Sequence, residues 1–504
     1  LSGAGANADN TAVGNQSGTA MTTGVANTLV GSLSGDALTD ADHNTAIGVN
    51  ALTNDTLGSK SVAVGSLALA AQNFTTATDS HNTAVGYSAG TAVTTGQEST
   101  MVGSLAGKAL TAGDKNVAIG TSALQADTLG SKSVAVGRGA LGVQNFTTAT
   151  DAHNVAVGDE AGVSVTTGKY NTLIGSLSGD SLTTGEKNVA VGYDTLSTDT
   201  NARFMVAIGY EAFKDFTGLA SGNADGHSVA VGYQAGSENT VGTANTYIGS
   251  WAGKNGTESN NNIAVGFAAL KNNTLGDQET ALGVGAMETY NQTSDVDGNN
   301  VAVGYATGFA LTTGIQNTII GALAGDALTD ADFNVAVGHV SLSTDTLGSR
   351  STAVGYGALN AQNFTTSTQT YNTAIGTETG ASVTTGINNT IIGGLAGDAL
   401  TDADNNVAVG QNALGDDTLG SASVAVGRQA LTQQNFTTAT DALNTGVGHT
   451  AGFNVTTGVR NTLIGALAGL NVNTGQKNTM IGDRAGNATT TGGGNVIIGT
   501  TCDA

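Results

Sequence analysis

Proline is absent from all 504 residues, and the chain has one cysteine, one tryptophan and only 4% aromatic side chains. Basic residues are also scarce, with 16 Lys+Arg against 39 Asp+Glu, a formal net charge of −23. Each shortage excludes a class. Without proline there is no collagen and no proline-rich linker. One cysteine excludes a disulfide scaffold and a cysteine-based zinc site. Without clustered Lys/Arg the chain is no nucleic-acid binder, because phosphate contact needs them. No run approaches about 18 consecutive apolar residues, so no segment reads as a membrane span.

Glycine is abundant, at 75 residues, while charged residues make up 11% and apolar residues 39%. Disorder normally combines low hydropathy with high charge, and mean hydropathy here is near zero. An ordered repeat fits that balance. A five-residue phrase supplies it: Asn10–Gly14 (NTAVG), Asn82–Gly86 (NTAVG), Asn188–Gly192 (NVAVG), Asn495–Gly499 (NVIIG), in 28 copies. Its glycines step by 17, 17, 17 and 21 residues, so four copies span 17 + 17 + 17 + 21 = 72. The step from Gly209 to Gly232 is 23. The chain is thus one repeat array over 1–504, seven groups of four coils.

Val, Ile, Thr and Gly favour strands over helices, and Thr-Thr-Gly clusters between the apolar runs read as turns. The expected fold is all-β: a parallel β-solenoid, or β-roll, of 28 coils of about 17 residues. Each coil is expected to hold two short strands and two turns. At ~4.8 Å per coil, 28 coils would span roughly 130 Å and each group about 19 Å.

Number the phrase so that Asn82 is position one and Gly86 position five. Position four is Val or Ile in 27 coils, with Leu282 the exception, and is expected to be the coil interior. Position one is Asn in 20 coils, which suggests a stacked amide ladder. Glycine at every position five suggests positive φ or a close backbone approach. The missing proline follows, because every rung needs its N–H.

Position three is mostly Ala, except in the second coil of each group. There Leu29, Met101, Leu173, Tyr247, Ile319, Ile391 and Leu463 appear, with Leu33, Leu105, Leu177, Trp251, Leu323, Leu395 and Leu467 at position seven. Strand alternation puts both positions on the face opposite position four. A lone solenoid would expose these bands, so they are expected to be contacts between chains of a homo-oligomer. The long connections of the fourth coils, with Phe74, Phe146, Phe364 and Phe436 in one register, are expected to project from one edge, pinned to the solenoid by these phenylalanines; an exposed Phe row would instead suggest receptor contact. The corresponding connections at 214–226 and 288–298 diverge in sequence.

Candidate chemistry is thin. The six histidines sit beside the motif and form no His-x-His pair. Asp36, Asp40 and Asp42 recur as Asp326, Asp330 and Asp332 and as Asp398, Asp402 and Asp404. Spaced turn carboxylates suit Ca²⁺, but they match neither calcium-loop pattern and read first as turn caps. Tyr87, Tyr193, Tyr210, Tyr233, Tyr305 and Tyr356 follow motif glycines and read as packing, with sugar stacking the alternative. No catalytic motif is present, and repetition argues against a unique active site. The reading is a non-enzyme without a cofactor.

The phrase Ser61–Gly65 (SVAVG), repeated at 133–137, 228–232 and 423–427, resembles the head repeat of trimeric autotransporter adhesins, the YadA-like head. The phrase Asn82–Tyr87 followed by Thr-Thr-Gly at a 17-residue step is similar to arrays in phage tail fibres. The resemblance covers essentially the whole chain. It implies a left-handed parallel β-roll, three chains around one axis, and extracellular attachment to a cell-surface glycan or protein receptor. The 17-residue step departs from the adhesin head and favours a virion tail fibre. A bacterial surface adhesin or matrix filament, and a polysaccharide-degrading tailspike, are the alternatives. The chain starts at Leu1 and so reads as a processed product or a fragment, which makes the absence of a visible signal peptide, stalk or anchor uninformative.

Overall fold

The fold is that of a computed structural model, which describes residues 8–218 and 224–502. It is an all-β parallel solenoid of 28 turns, with no helix among the described residues. Two compact units divide the chain, Leu1–Ser250 and Trp251–Ala504. In the first, fourteen three-residue strands run from Thr11–Val13 to Thr246–Ile248. In the second, fourteen run from Ile263–Val265 to Val496–Ile498. Within each unit every strand pairs in parallel, in register, with the next copy of the motif: Thr83 meets Thr100, Ala84 meets Met101, Val85 meets Val102.

The coil is leaner than expected. Each turn has one three-residue strand, not two. A second, two-residue strand appears only beside a long connection, as where Gly58–Ser59 pairs with Thr78–Asp79 or Gly348–Ser349 with Thr368–Gln369. Elsewhere the coil closes through tight turns that keep a backbone ladder, such as Thr94 N–H to the carbonyl of Thr111 at 2.8 Å. Residues at position seven and just before position one hold φ near +45 to +66° whatever their side chain, as at Leu105, Val340, Lys115 and His153. Those left-handed corners turn the chain where a second strand would have run straight.

The inside and outside of the strand are reversed from the expectation. Positions one and three point inward; positions two and four point outward. Ala84, Ala156 and Ala336 are fully buried, whereas Val13 is 58% and Ile174 38% exposed. The physical reason is width. A coil closed by two such corners leaves room for a small inward side chain on most rungs, and the Val/Ile rank of position four is turned out.

The bulky residues of the second coils fit the same interior. Leu29, Met101, Leu173, Tyr247, Ile319, Ile391 and Leu463 are all buried inside the coil, so they are core and not chain interface. Glycine four residues past the motif glycine makes their space. A Cβ on Gly35 would lie 2.8 Å from Leu29 and 2.8 Å from Leu38, and one on Gly179 2.8 Å from Leu173. Most third and fourth coils, with Ala at position three, carry Leu at that site instead, as with Ala46 and Leu52 or Ala63 and Leu69. Large and small residues alternate across one narrow core.

The position-five glycines have φ between 128 and 145°. Their missing Cβ is filled by backbone: on Gly103 it would meet the Gly120 carbonyl oxygen at 2.6 Å. Gly103→Ala is therefore expected to destabilise by at least about 2 kcal/mol, from strain plus a backbone clash. Amide exchange across 100–120 measures it, and unchanged protection there would contradict the close-approach account.

The amide rank is real but is not a simple stack. Asn44 Oδ1 accepts the backbone N–H of Ser61 on the next turn at 2.8 Å. Its Nδ2 donates to the Gly58 carbonyl across its own coil at 2.9 Å. One side chain thus ties turn to turn and closes its own turn. Amide-to-amide bonds occur in some coils, as Asn317 Nδ2 to Asn300 Oδ1 at 3.1 Å.

Candidate interaction surface and buried polar clusters

The outward strand face is uniform in composition. Positions two and four of 28 coils give 28 × 2 = 56 side chains, of which 15 are Thr and the rest Val, Ile or Leu282. None is charged, in a chain of net charge −23. Soluble surfaces rarely leave so regular an apolar row uncovered.

The position-seven side chains lie at the corner beside this face. Leu33, Leu105, Leu177, Trp251, Leu323 and Leu467 are half-exposed and Leu395 is exposed. Trp251 packs its ring 5.2 Å from Phe267, with Lys271 Nζ 5.1 Å above it. Of the two bands expected to be surface, only this one is outside.

The long connections are pinned by their phenylalanines, as expected. Phe74, Phe146, Phe364 and Phe436 are 5–6% exposed and pin their loops to the core. What projects is the short run after each phenylalanine: residues 75–77 are exposed, and so are 365–367. The divergent connection at 214–226 falls partly outside the described residues, at 219–223. Beside these loops Lys60 pairs with Asp79 at 2.5 Å and Lys132 with Asp151 at 2.5 Å. The lysine lowers each aspartate's pKa below the usual range.

The tyrosine row is partly stacked on itself. Tyr210 lies 5.4 Å from Tyr193 and 5.3 Å from Tyr233, nearly parallel. Those faces are occupied by neighbouring rings, which leaves edges and hydroxyls outward. The six histidines are all exposed.

The aspartate turns bind the preceding coil. Asp330 accepts from the Thr313 hydroxyl at 2.7 Å and Asp332 from the Ile315 N–H at 2.8 Å. Asp402 and Asp404 repeat the pattern on Thr385 and Ile387, both within hydrogen-bond range. Asp42 accepts from the Val25 N–H and Asp40 from Thr23, whereas Asp36 accepts from Thr53 on the following coil. Asp326 and Asp398 each keep one buried oxygen without a hydrogen-bond partner, and burial raises both pKa values. Among the described residues no three His, Cys, Asp or Glu side chains converge as a metal site.

Sequence reasoning missed a set of buried polar clusters. Asp55, Ser61, Gln72 and Asn82 are all fully buried. Gln72 Nε2 donates to Asp55 Oδ2 at 2.6 Å and to Ser61 Oγ at 2.8 Å, and Gln72 Oε1 accepts from Asn82 Nδ2 at 3.0 Å. Asp55 Oδ1 takes the N–H groups of Gly58 and Phe74, both at 3.1 Å. The cluster recurs around Gln144, Gln362 and Gln434. Burial raises the pKa of Asp127 and Asp417. The signal was available: Asp and Gln seven residues past successive motif glycines, at a 72-residue period.

Two groups break the pattern. In the third, Phe216 and Met205 replace Gln and Ser, so Asp199 Oδ2 has no hydrogen-bond partner among the described residues. Burial pushes its pKa up to about 6. In the fourth, Asn273, Glu279 and Tyr290 stand for Asp, Ser and Gln. The buried Glu279 is hydrogen-bonded to Tyr290 and to the Asn300 N–H at 3.1 Å, and burial raises its pKa to about 8. Burial and Glu279 together raise the pKa of Tyr290.

The fold defines a β-solenoid repeat protein. No protein-family model and no curated protein matches the chain.

Proposed function

We propose that the chain is the structural shaft of an extracellular homotrimeric fibre used for attachment, most simply a phage tail fibre. The carrying observation is the uncharged outward face. In one fourteen-turn unit it offers on the order of 1,000 Å² of apolar area, comparable to each side of a stable protein–protein interface. A second and third copy of the same chain can cover it turn for turn, because every copy has the same 17-residue pitch. The interface thus moves from the bulky second-coil residues to the Val/Ile rank. Sequence resemblance supports the trimer number and the attachment role. The exposed loops after each pinned phenylalanine repeat every 72 residues in the first and second groups, and in the fifth and sixth, and would give weak contacts avidity.

An antibody raised against residues 75–79 tests the role. Decoration of the tail fibres of virions that carry the gene is expected. Decoration of a bacterial surface instead would contradict the viral reading and support the adhesin. Release of sugar from host glycans by the purified chain would favour the tailspike.

A further inference from the structure

Four buried clusters hold the parts of an acyl-transfer site: a hydroxyl, a carboxamide, a carboxyl group and an amide donor on the carboxamide oxygen. Serine Oγ lies 2.8–3.1 Å from glutamine Nε2. Aspartate Oδ2 lies 2.5–2.6 Å from the same nitrogen. Asparagine Nδ2 lies 2.8–3.0 Å from glutamine Oε1. We propose that these clusters are self-modification sites, at which the serine displaces ammonia from the glutamine and closes an ester bond across the interior of the fourth coil. The pairs are Ser61–Gln72, Ser133–Gln144, Ser351–Gln362 and Ser423–Gln434.

The step balances within the cluster. Ser61 Oγ, already touching the nitrogen bonded to Cδ, attacks Cδ as the carboxamide turns. Negative charge develops on Oε1, where Asn82 Nδ2–H stabilises it. Asp55 relays the proton lost by Ser61 Oγ to Nε2, the C–N bond breaks and ammonia leaves, and Asp55 ends as it began. No oxidant, reductant or other reactant is needed. Burial of all four side chains excludes the water that would reverse the reaction. Burial raises the pKa of Asp127 and Asp417, which makes each a better acceptor for the serine proton. The third and fourth groups serve as internal controls, because Met205/Phe216 and Glu279/Tyr290 cannot form this bond.

Intact mass of the purified full chain tests the inference, independently of oligomeric state or role. Each bond removes one ammonia, about 17 Da, so four bonds lower the mass by about 68 Da. Peptide mapping is expected to recover Ser–Gln linked peptides, which hydroxylamine cleaves. In Gln72→Glu the Ser61 linkage is expected to be lost while the other three persist. A native chain at its sequence mass, or a mass deficit without linked peptides at these pairs, overturns the proposal.

Discussion

Leu173→Ala is expected to cost about 2–5 kcal/mol of stability, the range for emptying a filled core site. The side chain is fully buried between Gly162 and Gly179, whose Cβ positions it nearly occupies, so the walls have little freedom to collapse. Association of chains should not change. The combined variant Val157→Lys, Ile174→Glu, Val191→Lys should do the opposite. These three lie side by side on successive turns of the outward face. Alternating signs let neighbouring turns pair, so the coil stays folded while desolvating the charges opposes docking. Thermal melting and solution mass separate the outcomes. Dissociation by Leu173→Ala without loss of stability would restore the second-coil residues to the interface.

Stability near Glu279 is expected to fall as pH rises. Its pKa is about 8 in the folded chain against 4.5 for the free side chain. The folded state holds the proton more tightly, so the contribution is fully present below about 4.5 and lost as pH rises through about 8. By linkage the loss amounts to several kcal/mol. Tyr290 and Asp277 are the titratable groups facing it: burial is the largest cause of the raised pKa and the Asp277 charge adds to it, while the Tyr290 hydrogen bond works against it. Asp199 adds a smaller loss, between 3.8 and about 6. Amide exchange at residues 279–303 should speed up from pH 5 to 9 after correction for the intrinsic rate. Glu279→Gln should remove that dependence. A profile flat in the native chain would contradict the buried carboxylate.

Much of the fold was legible in the sequence because one motif repeats. Spacing identified the number of turns, and glycine at every position five signalled the backbone contact found at Gly103 and Gly120. Facing was misread. Val85 and Ala84 alternate, and hydrophobicity alone favours the larger side chain for the core. The left-handed corners, carried by residues as varied as Leu105 and His153, narrow the coil and reverse that choice. Complementarity between Leu173 and Gly179 was visible at fixed spacing, and it distinguishes a core layer from a surface band. The polar clusters escaped because Asp55, Ser61 and Gln72 read as turn residues until the coil brings them together.

The most direct test of the central claim is the mass of the purified chain in solution by sedimentation equilibrium. A species of three times 49.4 kDa is predicted, dissociating in the outward-face variant. A stable 49.4 kDa monomer at micromolar concentration would contradict a self-associating fibre.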